Sequence, residues 1–321
     1  SLSKYKAIII AKPTVSFNIL EKFIIDQYIM NGGKILWLID GVKADIDSLK
    51  KSNSFIALKN DLNLDDQLFK YGVRINANLI EDIRSTQIPI ITGYSNNMPQ
   101  QTFFAWPYYP LLFSDINHPI SKGLDAIKCD FVSSIDTIKN TVKKTILLTS
   151  SKQSRLNPTP TKISLGIIEN PPPIKSFNKS KIPVAVLLEG KFESVFKNRI
   201  LPKKTIKFKN SSESTKMIIV ADGDIVKNKI SKNNIYPLGY DEFINHTYEG
   251  NKKFIMNAIH YLCDDKGLTK LKSKQIRLRM LDKEKISSNK LLIELINILF
   301  PLILLLLSTI LFLQIKNKNY V

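Results

Sequence analysis

Unbroken apolar runs and helical periodicity alternate along the first part of the chain. The run Tyr5-Lys6-Ala7-Ile8-Ile9-Ile10-Ala11 is almost wholly apolar, as in a strand buried on both faces. Phe17, Leu20, Phe23, Ile24 and Tyr28 then recur at helical spacing through Met30. Ser16 reads as the N-cap of this helix and Asn31-Gly32-Gly33 as its stop. Lys34-Ile35-Leu36-Trp37-Leu38-Ile39-Asp40 follows as a second buried strand. Strand, helix and strand in this order predict a parallel pair joined by a right-handed crossover.

Residues 62–71 read as a helix ended by Gly72, and 74–80 as a strand. Apolar, β-branched runs predict further strands over 131–138, 144–149, 182–188 and 217–221. Residues 251–263 place Phe254, Ile255, Ala258, Ile259 and Leu262 on one helical face. The expected fold class is therefore α/β with a mostly parallel sheet. Polar stretches with Gly or Pro read as loops over 92–101, 154–161 and 170–181, the last holding Pro171-Pro172-Pro173. No internal repeat is visible. The expected organisation is a soluble body over 1–265, with a subdomain around 92–180.

Residues 291–313 are apolar except for Glu294, Asn297, Ser308 and Thr309. At about 1.5 Å per residue such a helix spans about 35 Å, enough to cross a hydrocarbon core. A transmembrane helix is accordingly expected over 291–315, after a basic connector over 266–290 and before a short tail over 316–321. Residues 271–290 hold seven Lys or Arg and the tail holds two, which by the positive-inside rule puts the body in the cytoplasm. Long domains translocate largely regardless of charge, so the count does not decide the orientation. The chain enters its first strand almost at once, and a longer parent chain is expected.

Composition narrows the function classes. Of 321 residues 44% are hydrophobic, enough for one large or two modest cores. The formal charge is +19, but it comes from 41 Lys and only 6 Arg, scattered without stacking aromatics. Nucleic-acid readers lean on Arg, whose planar fork matches phosphate and guanine, so nucleic acid is not an expected partner. Cys129 and Cys263 form no CxxC motif, and whether they pair is left open. No phosphate loop, dinucleotide-binding fingerprint, HExxH or GxSxG elbow is present. The residues imply no metal, no cofactor and no assembled catalytic set, so the chain is expected not to be an enzyme.

Polar residues at strand ends are the remaining candidates. Asp40-Gly41, Glu189-Gly190 and Asp222-Gly223-Asp224 each close an apolar run. In a parallel sheet, ligands bind outside the carboxyl ends of the strands, so these clusters are candidate residues on one edge for a cation or a polyhydroxyl ligand. Asp and Gly also simply make the turns that leave such strands. Arg155 and Arg199 are candidates for the same rim. Trp106, in Trp106-Pro107-Tyr108-Tyr109-Pro110, is a candidate for stacking on a sugar or docking a partner, or else a packed loop.

Several longer stretches carry a family resemblance. They are Lys22-Phe23 with Ile25-Asp26-Gln27-Tyr28-Ile29-Met30-Asn31-Gly32-Gly33-Lys34, then Leu36-Trp37-Leu38-Ile39-Asp40. The stretch from Leu62-Asn63-Leu64-Asp65-Asp66 through Tyr71-Gly72-Val73-Arg74-Ile75-Asn76 follows. Ala185-Val186-Leu187-Leu188-Glu189-Gly190 and Leu278-Arg279-Met280-Leu281-Asp282-Lys283-Glu284-Lys285 complete the set. Over nearly its whole length the chain resembles GldG, the auxiliary subunit family of the gliding-motility-associated ABC transporter of Bacteroidetes. The resemblance implies a glutamine-amidotransferase-like fold without catalytic residues and a body facing the periplasm of the bacterial inner membrane. It also implies a separate ATPase and a separate permease as partners. A non-catalytic auxiliary subunit is thus the first expectation. A periplasmic receptor for a saccharide or similar solute is the second, and a hydrolase or amidotransferase using Asp222, Asp224 or Glu189 the third. An envelope partner fits the first.

Overall fold

The computed structural model describes residues 2–114, 116–203, 207–231, 233–265, 267 and 290–318. The chain divides into two units, Ser1–Ser273 and Lys274–Val321. Five strands form the central sheet of the first unit: β1 (Ala7–Ala11), β2 (Lys34–Leu38), β3 (Lys143–Thr149), β4 (Pro183–Gly190) and β5 (Thr215–Val220). Their spatial order is β1-β2-β5-β4-β3. β1 pairs with β2, and β2 with β5, in parallel. β5 pairs with β4, and β4 with β3, antiparallel.

Between β1 and β2 lies α1 (Ile19–Met30). Its N-cap is Asn18, two residues beyond Ser16, because Asn18 and Glu21 close a reciprocal capping box with both bonds at 2.9 Å. α2 (Asp65–Tyr71) ends at Gly72, whose φ of 118° only glycine adopts easily. α3 (Glu249–Cys263) follows the sheet in sequence.

Alternation along the strands sorts the core into two faces. Ile35, Trp37, Val186, Leu188, Met217 and Ile219 pack with Ile25, Tyr28, Ile29 and Met30 of α1 and with Leu68 and Tyr71 of α2. Leu36, Leu38, Ala185, Leu187, Ile218 and Val220 pack with Phe254, Ile255, Ala258 and Leu262 of α3. The sheet is a central layer with helices on both sides. Burying one such side chain is worth about 1.5–3 kcal/mol, so these two faces hold the unit together.

The other sheets have two or three strands, and every pairing in them is antiparallel. Several of them contribute to a third cluster that includes Val42, Ala57, Leu79, Trp106, Tyr108, Tyr109, Phe131 and Ile163, while the pair Val73–Ile75 and Ile135–Thr137 packs on the α1 side of the central sheet. The expected mostly parallel, glutamine-amidotransferase-like sheet is therefore overturned: the fold is mixed α/β with largely antiparallel pairing. A run buried on both faces looks the same whichever way its neighbours run, and this is why β4 misled the reading.

Two expected loops are strands. Residues 92–101 form the tip of a long hairpin, Ser85–Ser95 against Met98–Leu112. Its turn is Asn96-Asn97, with φ of 49° and 60°, values that suit the primed turn of a hairpin and that Asn tolerates. Ser154–Pro158 pairs with Asn78–Asp82, and Thr161–Ser164 with Ser54–Lys59.

The second unit contains α4 (Lys290–Lys318), with Pro301 inside it. Among the described residues no helix is long and apolar enough to cross a membrane. The expected transmembrane helix is corrected on that ground. Most of the expected connector over 266–290 lies outside the described residues, as does part of the tail over 316–321.

Candidate functional site

Because β1, β2 and β5 are adjacent and parallel, the segments that follow them leave at one edge. The ladder continues past the strands through Lys12 N to Leu38 O at 2.9 Å and Ile39 N to Val220 O at 3.0 Å. This brings Lys12, Asp40, Asp222 and Asp224 together. One carboxylate oxygen from each aspartate lies within 4.8 Å of the others.

Each group has definite partners. Lys12 Nζ donates to Asp224 Oδ2 and lies 3.6 Å from Asp40 Oδ2. Asp40 Oδ1 accepts the Gly223 N–H at 2.5 Å. Asp222 accepts the N–H of Asp224 at 2.7 Å and that of Asp130 at 3.0 Å. Gly223 is required here, since a Cβ would fall 2.9 Å from the Cα of Lys12.

Burial, reinforced by Asp224, Asp40 and Asp130, pushes the Asp222 carboxyl well above the usual range. Burial raises Asp40 as well, and the Gly223 bond and Lys12 offset only part of it. Burial alone would lower Lys12, but its bond to Asp224 and the charges of Asp224, Asp40 and Asp222 outweigh that and raise it.

Three carboxylates at this spacing suit a hard cation. Here an ammonium already stands among them, and both oxygens of Asp222 accept backbone N–H groups. The rim supplies its own counterion. Asp222 is also fully buried, so as placed it cannot touch a substrate.

A second cation continues the pattern. Lys128 Nζ is 2.6 Å from Asp130 Oδ1, 4.0 Å from Asp241 Oδ2 and 4.6 Å above the Tyr109 ring. Burial lowers this lysine, but Asp130 and Asp241 more than compensate. A cavity of about 90 Å³ lies beside it, lined among others by Asp224, Lys128, Asp130, Asp241 and Asn251.

The remaining candidates are scattered. β4 runs antiparallel to β5, so Glu189 and Gly190 sit beside Lys216 and Thr215, at the opposite edge from Asp222. Glu189 there accepts the Tyr261 hydroxyl at 2.7 Å. Gly41 stays beside Asp40, with Ser133 and Asn76 leaving no room for a Cβ. Arg155 makes a two-pronged pair with the fully buried Glu81, at 2.7 and 3.0 Å. Arg199 pairs with Asp66 at 2.8 Å in a cleft of about 850 Å³ that also holds Lys70, Arg74 and Lys197. Trp106 is completely buried, 5.4 Å from the Tyr108 ring, and has no open face for a sugar. Both cysteines are free thiols.

Sequence reasoning missed Lys12, Lys128 and Asp26. Asp26 is fully buried in α1 and accepts from Ser194 Oγ at 2.6 Å, Tyr71 Oη at 2.9 Å, Gln27 Nε2 at 3.0 Å and Val195 N at 3.1 Å. Asp26 ties α1 to α2 and to the segment after β4. The only signal was an acid placed among the apolar residues of an amphipathic helix.

A family model described as an ABC-type uncharacterized transport system matches residues 2–258. No curated protein matches. One solved structure, titled "mmIFT52 N-terminal domain", is similar at 13% identity over 83% of this chain and 80% of that one, with a TM-score of 0.43. A likeness this distant carries no function across.

Proposed function

The chain belongs to the family of ABC-type transport-system auxiliary proteins, and we propose that it works there as a non-catalytic subunit, docked to a separate ATPase and permease. The family match carries this reading, because it spans nearly the whole of the first unit. The rim supports it: its charges are engaged with one another and its central acid is sealed from solvent. The resemblance to GldG-like proteins supports a periplasmic body and a role in gliding motility as the finer form of the proposal. The receptor reading loses its stacking residue, because Trp106 is buried.

The test is isolation of the tagged full chain from its native cells in mild detergent. An ATPase and a permease of an ABC transport system should co-purify in fixed ratio and dissociate together. A chain recovered without either would overturn the proposal. Turnover of glutamine or a glycoside by the purified chain would overturn its non-catalytic part.

A further inference from the structure

Residues 85–114 contain no Asp, Glu, Lys, Arg or His, in a chain of which 23% is charged and which carries 41 Lys. This stretch is the hairpin Ser85–Ser95 and Met98–Leu112. Its base is anchored, with Ile88, Trp106, Tyr108 and Tyr109 buried in the third cluster. Its tip is not: over 91–103 every residue except Gly93 is exposed. Tyr94 and Met98 are each 73% exposed, Ile91 52% and Phe103 45%.

The backbone of the tip is equally open. Among the described residues neither strand pairs with a third over 87–105, since the short strand Ile127–Lys128 meets only Leu111 and Leu112. A two-stranded ribbon is marginal in water, and an uncharged open edge invites association. Edges of this kind are commonly guarded by lysine. In this Lys-rich chain the guard is missing where it is most needed, and over 87–105 the ribbon is blunted by Pro89, Pro99 and a register shift between Ile91 and Gly93.

We infer that this arm is the docking element for a protein subunit of the transport system, received on an uncharged, apolar polypeptide surface. The inference rests on the function proposed above. Charge selects the occupant: a neutral arm on a +19 chain is not built to seek an acidic peptide, a nucleic acid or an anionic headgroup. Hydrogen bonding excludes the bilayer interior, where the unpaired N–H and C=O groups of both edges would stay unsatisfied. A polypeptide satisfies them, by adding a strand or by presenting side-chain donors and acceptors.

The experiment uses the tagged full chain expressed with its own ATPase and permease. Tyr94→Lys combined with Met98→Lys is compared with wild type and with Ile56→Lys, a charge placed on a 64% exposed isoleucine elsewhere. The arm variant should lower recovery of the transport subunits at least about tenfold at an unchanged melting temperature, and Ile56→Lys should not. A benzophenone amino acid at position 94 should cross-link to a transport subunit. Equal recovery with the arm variant, loss with Ile56→Lys as well, or cross-links only to lipid or to a second copy of this chain would each overturn the inference. If wild type recovers the subunits and the arm variant does too, only the arm assignment falls. If wild type recovers none, the proposed function falls first and this inference with it.

Discussion

Replacing Lys12 by Met keeps most of the side-chain volume and removes the ammonium that meets both Asp40 and Asp224, leaving Asp224 with Lys227 at 3.5 Å. Deleting one partner of a buried ion pair costs about 3–5 kcal/mol. The Lys12 side chain is 34% exposed, so water recovers part of that and the expected loss is about 2–3 kcal/mol. For a body of this size, the melting temperature should fall by roughly 4–12 °C at neutral pH and low salt. The pH dependence has a definite sign. Asp40 and Asp222 have raised folded-state pKa values, so they weaken the fold as pH rises through those values and cease to do so as it falls. The deficit of Lys12→Met should therefore narrow between pH 7.5 and pH 5. Millimolar Ca²⁺ should leave the melting temperature of wild type unmoved, because Lys12 already stands beside Asp40 and Asp224 and both oxygens of Asp222 are engaged. Thermal melts with and without Ca²⁺ decide the matter. A variant as stable as wild type, or a wild type stabilised by Ca²⁺, would refute the reasoning.

Three further outcomes are expected. Asp26→Ala should lose about 3–5 kcal/mol in urea titration, because four donors lose their acceptor, and Asp26→Asn should lose clearly less. Cys263 should alkylate in the native chain while Cys129, buried and with its thiol pushed up by burial, reacts only on unfolding; mass spectrometry of maleimide adducts reads this directly. Gly223→Ala should destabilise by about 1–3 kcal/mol, measured by the same melts, since its Cβ would press on the backbone of Lys12.

Much of the central layer was legible from pattern alone. The apolar runs at 7–11, 35–39 and 217–221 fall on strands because nothing polar interrupts them, and α3 declares itself by its periodic face. The rim was half legible: Asp40, Asp222 and Asp224 do share an edge because their strands are parallel neighbours. Glu189 was assigned there for the same reason and lies at the far edge, since a buried run does not encode strand direction. Lys12 was invisible because one lysine among 41 carries no signal, and its role comes from a left-handed backbone turn, with φ of 43°, that no local motif announces. The hairpin tip over 92–101 read as a loop because its turn is Asn-Asn rather than Asn-Gly and its strands there bury no alternate face. Trp106 looked available because an aromatic cluster with prolines has the same composition on a surface as in a core.

The order β1-β2-β5-β4-β3 makes the middle strand of the layer the last one synthesised. Once Leu38 has left the ribosome, the apolar edge of β2 waits for Thr215 and its neighbours before it can close. At about 5–20 residues per second that wait is roughly 10–35 s. During it, one of the most hydrophobic edges in the molecule has no native partner. Production of this chain should accordingly depend on holdase chaperones more than its final compactness would suggest, and slowing translation upstream of residue 215 should increase the share that aggregates.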